Sequence, residues 1–77
     1  MKVYSEEFET NGIDHVYEVI HFLGTKDVMV QVIDCETGNT VYDDKCIVTR
    51  NTESTILLNF LKVPKNKSKF SVLIIGL

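Results

Sequence analysis

His21-Phe22-Leu23-Gly24-Thr25-Lys26-Asp27-Val28-Met29-Val30-Gln31-Val32-Ile33-Asp34 decides how the rest of the sequence is read. Leu23 to Asp27 carries the punctuation of a corner between two strands, with Gly24 at its centre. From Val28 onward the chain alternates. Side chains of a strand point to opposite faces in turn, so Val28, Val30 and Val32 share one face and Met29, Gln31 and Ile33 the other. The valine face is expected to be core. The opposite face is more apolar than a surface turned wholly to water requires, so something is expected to cover it. His21 ends the preceding strand. With Gly24 and Asp27 it is expected to be a structural corner residue, its ring capping backbone carbonyls there or bridging to a neighbouring subunit.

Upstream, Val3 to Thr10 alternates weakly and places Tyr4 and Phe8 on one side of an otherwise acidic strand, as an edge strand would. Asn11-Gly12 follows, a dipeptide suited to positive φ at both central positions of a hairpin, and predicts that the next segment returns antiparallel. His15 to Leu23 is read as that strand. Val and Ile lose rotamer freedom in a helix, and Gly12 and Gly24 bracket the run. Downstream, Gly38 is expected to adopt a left-handed conformation and close a hairpin onto Thr40 to Arg50. That segment does not alternate cleanly, which predicts a β-bulge or a switch between sheets near Asp43-Asp44-Lys45. Thr55 to Leu61 points Ile56, Leu58 and Phe60 one way. Lys62 to Ser68 is the longest loop, where Pro64 ends strand pairing. Lys69 to Ile75 sets Phe70, Val72 and Ile74 against Ser71, Leu73 and Ile75.

About six strands joined by short turns, with no helical period, specify an all-β fold, a small antiparallel β-sandwich or barrel, as one domain over residues 1–77. Two packed sheets need one apolar face each. Several strands here are apolar on both, and the surplus implies a further buried surface, supplied by another copy of the chain or by a larger assembly. Met29, Gln31, Ile33, Leu73 and Ile75 are the candidate interface residues.

The corner and its flanks also carry a resemblance. Leu23-Gly24-Thr25-Lys26-Asp27-Val28 after a strand ending in His, Thr37-Gly38, Pro64, and Phe70-Ser71-Val72-Leu73-Ile74-Ile75-Gly76 together resemble a small β-sandwich module of tailed-bacteriophage fibre, spike and minor tail proteins. The resemblance runs from about Tyr4 to the C-terminus. Family members often have Asn directly after the His, where Phe22 stands here. It implies a non-enzymatic virion protein made in the host cytoplasm: a capsid-decoration, head-fibre or tail-appendage subunit that assembles as a homo-oligomer, expected to be a trimer, and docks on other virion proteins.

Composition bounds the alternatives. A chain of 77 residues with 44% hydrophobic and 25% charged residues is an ordered domain. At this size folding hides only roughly 60% of the unfolded surface, so stability is marginal without support. A net charge of -3 gives no phosphate-tracking surface. Tyr4, Phe8 and Tyr17 lie among acids, where phosphates are repelled, so nucleic acid is not an expected partner. Lys62, Lys65, Lys67 and Lys69 are read as a solvated loop beside a sheet edge. No window reaches the roughly 20 apolar residues of a membrane span. Met1 to Glu7 lacks the apolar run of a secretory leader, which favours reduced thiols.

His15, His21, Cys35 and Cys46 lack metal-ligand spacing, and the two histidines sit roughly 20 Å apart along one strand. Asp34, Glu36, Asp43 and Asp44 lack the ligand density of a calcium loop. Cys35 lies in an acidic loop that raises its pKa, and Cys46 is read as a small hydrophobe. No catalytic constellation can be assembled, and neither cofactor nor metal is expected. The alternative is a receptor- or glycan-binding module using Tyr4, Tyr17 or Tyr42, which exposed tyrosines would favour and buried ones oppose.

Overall fold

The computed structural model describes residues 2–77 as seven strands. They are β1 (Lys2–Asn11), β2 (Val16–Ile20), β3 (Val28–Asp34), β4 (Thr40–Val41), β5 (Cys46–Arg50), β6 (Thr55–Phe60) and β7 (Asn66–Gly76). Two antiparallel sheets form, one in the order β1-β7-β3-β4 and the other β2-β6-β5. The chain is the all-β sandwich that its alternation predicts. Val28, Val32, Phe70, Val72 and Ile74 of the first sheet meet Val19, Cys46, Ile56, Leu58 and Phe60 of the second in one sealed core. Val30 is half-buried against it, as are Tyr4 and Phe8 from the edge strand β1.

Only the β3–β4 and β5–β6 connections stay within a sheet, and every other link crosses the sandwich. The segment Thr40 to Arg50 divides at Tyr42–Lys45 into β4 and β5, on different sheets, which is why its alternation fails. Gly38 takes φ +75° in the β3–β4 turn.

The expected Asn11-Gly12 hairpin does not form, because β1 pairs with β7 and β2 with β6. The dipeptide makes a crossover corner instead. Asn11 Oδ1 accepts the amides of Ile13 (2.9 Å) and Asp14 (2.8 Å), and its Nδ2 donates to Asp14 Oδ2 at 2.7 Å. This side-chain scaffold turns the chain without requiring the strands to pair. Gly12 has φ +74°, and a Cβ there would meet Asn66 at 3.0 Å, so the position tolerates no side chain. The second strand is correspondingly shorter than His15 to Leu23.

The lysine-rich segment is also placed differently from expectation. Lys67 and Lys69 lie in the first part of β7, which is paired with β1 while the β3 ladder begins only at Phe70. Pairing shifts register between Glu9 and Asn11, and Lys67 takes φ +61° opposite the shift. Thr10 fills it: its buried hydroxyl donates to the Lys65 carbonyl and accepts the Ser68 amide at 3.2 Å.

Candidate assembly surface

Alternation turns the second face of β3 and β7 outward, and the register sets its residues in rows across three strands. Val3, Ile75 and Met29 form the first row, Ser5, Leu73 and Gln31 the second, and Glu7, Ser71 and Ile33 the third. All five candidate interface residues therefore fall in one patch. Leu73, Ile75 and Ile33 are half-buried, while Met29 is 58% exposed and Gln31 is open to solvent. The patch is graded, apolar along the row nearest Lys2 and acidic toward Glu7. Val3, also 58% exposed, completes the apolar row. Sequence reading left it out because β1 looked acidic, and only pairing with β7 reveals that it stands beside Ile75.

The patch continues around the open edge of β3. Because β4 pairs only with Val32 and Ile33, the first half of β3 has no neighbour on that side. A groove of about 760 Å³ opens there between β3 and β5, lined by Met29, Gln31, Tyr42, Ile47 and Arg50 among others. Arg50 closes its end, Nε and Nη2 donating to the Val28 carbonyl at 3.2 and 2.8 Å.

The corner between β2 and β3 is held from several directions. The amides of His21 (2.7 Å) and Phe22 (3.2 Å) both donate to the Ser54 carbonyl, and Lys2 Nζ donates to the Leu23 carbonyl at 3.1 Å. Asp27 contributes its backbone, its amide donating to Thr25 Oγ1 at 3.0 Å and its carbonyl accepting the Leu77 amide at 2.9 Å. Gly24 has φ +74° with open space around it, so conformation alone calls for glycine there.

His21 is 3% exposed, and its role differs from the expected capping of carbonyls. Nδ1 accepts the Leu23 amide at 3.0 Å, which leaves the proton on Nε2, and Nε2 has no partner among the described residues. Burial holds its pKa below the ordinary 6.5. Between the buried His21 and Leu23, Phe22 takes φ +55° and is 78% exposed. A bulky residue in the left-handed region is strained, and here no burial of its ring offsets the strain.

The remaining candidates disperse. Tyr17 is half-buried against Phe8 (ring centroids 5.4 Å apart) and Phe60 (5.9 Å), and the Tyr4 hydroxyl donates to Glu6 at 3.2 Å. Only Tyr42 stands out in solvent, so the three do not make a shared aromatic platform. Cys35 is exposed, its Sγ 3.7 Å from Glu7 Oε2; desolvation and that carboxylate raise its pKa. Cys46 is buried in the core, which pushes its thiol up to about 11. Among the described residues no three of the His, Cys, Asp and Glu side chains gather as metal ligands would. Lys62, Lys65, Asp34 and Asp44 are among the residues lining a second groove, of about 630 Å³, with Phe60 and Phe70. No family model, curated protein or solved structure matches the chain.

Proposed function

We propose that this chain is a non-enzymatic structural subunit of a bacteriophage particle, a capsid-decoration, head-fibre or tail-appendage protein that assembles with copies of itself and docks on other virion proteins. Two separate supports carry the two halves of this reading. Assembly rests on the outer face of the four-stranded sheet, where Val3, Ile75 and Met29 stand side by side with Leu73 and Ile33 beyond them. In so small a sandwich that face lacks the covering layer a stable domain gives its apolar sheet surface. The phage assignment rests on the resemblance of Leu23–Val28, Thr37-Gly38, Pro64 and Phe70–Gly76 to the fibre and spike modules.

Solution mass tests the assembly. The wild type is expected to run as a multiple of the 8.8 kDa protomer. Met29→Lys, at an exposed position, and Ile75→Lys, at the centre of the row, bring a charge into the contact and are expected to return it to the protomer mass. A wild type that stays monomeric at the highest attainable concentration overturns the reading. Tyr42 alone gives no platform for the glycan-binding alternative, and specific binding on a glycan array is the result that would promote it.

A further inference from the structure

The side chain of Asn11, which scaffolds the corner between β1 and β2, is also arranged for chemistry. Its Oδ1 accepts from three donors, the amides of Ile13 (2.9 Å) and Asp14 (2.8 Å) and the Tyr17 hydroxyl (3.2 Å), while its Nδ2 donates to Asp14 Oδ2 at 2.7 Å. Donors on a carbonyl oxygen draw electron density from its carbon. They also stand where negative charge gathers if a nucleophile adds there. The nucleophile at hand is the backbone nitrogen of Gly12, next in the chain. Among the described residues its amide is engaged in no hydrogen bond. Gly12 carries no Cβ to hinder the approach, and the corner from Asn11 to Val16 is exposed, so water reaches it.

The other asparagines offer no such arrangement. Asn39 and Asn51 are each followed by threonine, Asn59 by Phe60 and Asn66 by Lys67, so in every case a side chain stands beside the nitrogen that would attack. Asn59 and Asn66 also lie within strands β6 and β7.

We propose that Asn11 is a site of self-modification, where the Gly12 nitrogen closes on Asn11 Cγ and the side-chain amide becomes an acid. The bond from nitrogen to Cγ forms and the Cγ–Nδ2 bond breaks, Nδ2 leaving as ammonia with the proton that the Gly12 nitrogen gives up. Water then opens the cyclic imide at one carbonyl or the other, leaving aspartate or its β-linked isomer. The product undoes the corner. A carboxylate still accepts the Ile13 and Asp14 amides, but it has no proton to offer Asp14, so two like charges face each other across the 2.7 Å contact. In the isomer the backbone also lengthens beside Gly12, where even a Cβ would lie 3.0 Å from Asn66. Because β1 and β2 belong to different sheets, the loss falls on a link that crosses the sandwich.

Peptide mapping of the full chain, stored folded at mildly alkaline pH, decides where conversion falls. The mass of an acid in place of an amide is expected at Asn11 at a rate about 10-fold or more above that at Asn39 or Asn51. Asn11→Asp reproduces the product of unaltered linkage and is expected to lower the thermal midpoint by about 5 °C. Adding Asp14→Asn exchanges amide and acid across the same contact, and is expected to restore most of that loss. Conversion at Asn39 or Asn51 as fast as at Asn11 overturns the site. An unchanged midpoint for Asn11→Asp, or a double variant no more stable than the single one, overturns the effect on the corner. None of these readouts depends on whether the chain self-associates.

Discussion

At one end of the sandwich Thr10 is buried, and its hydroxyl both donates and accepts, bridging Lys65 and Ser68 across a bulge whose left-handed residue is Lys67. At the other end His21 is equally buried, yet one ring nitrogen is left without a partner, and the left-handed residue beside it is Phe22. The backbone device is the same: a non-glycine at positive φ next to a buried polar side chain. Lys67 sends a charged chain into water, so the fold itself explains that end. Phe22 sends a phenyl ring there, and the fold offers no reason for it.

The largest effect that would break this comparison is at the satisfied end. Thr10→Val removes the side-chain partner of the Lys65 carbonyl and the Ser68 amide, which keep their own bond at 3.3 Å, and is expected to cost about 1.5 kcal/mol, read as a lower denaturation midpoint at unchanged slope. An unaltered midpoint would mean the bridge contributes nothing, and the two ends would not differ. Next comes pH. Burial depresses the folded pKa of His21 below 6.5, so on acidification the unfolded chain takes up its proton first. Stability on this account is complete above 6.5 and falls as the pH drops from there through the folded value. Protonation at Nδ1 would also displace the Leu23 amide from it. Thermal midpoints measured from about pH 7.5 down to about pH 5 should therefore decline, and more shallowly in His21→Gln. Equal slopes would remove His21 as the cause. The smallest effect is the gain from relieving Phe22: Phe22→Asn should stabilise the dissociated chain by about 1 kcal/mol. A loss instead would show that the ring supports its own fold.

Much of this architecture was legible in the sequence because the period of a strand is local. The alternation of Val28 to Ile33 and of Phe70 to Ile75 separates the sealed face from the open one, and both faces stand as the pattern predicts. The failed alternation at Asp43 to Lys45 marked a bulge or a sheet switch for the same reason, and the structure shows the switch. Asn11-Gly12 misled because a dipeptide fixes a local reversal and does not choose partners. β1 pairs with β7 instead of β2, and Asn11 satisfies the turn with its own side chain. The corner was marked by Gly24, but not the direction of the His21 hydrogen bond nor the φ of Phe22, both of which depend on where Ser54 arrives from the other sheet.

By itself, then, the sequence determined which face of each strand is apolar, that the fold is all-β, and that apolar surface would be left over. These follow from side-chain chemistry at a spacing of two. Only the tertiary structure decided which strands are neighbours, and hence that Val3 joins Ile75 and Met29 in one row and that β4 is too short to close the edge of β3. Such pairings join residues far apart in the chain, and they are selected by the total burial the whole molecule achieves, which no single stretch encodes.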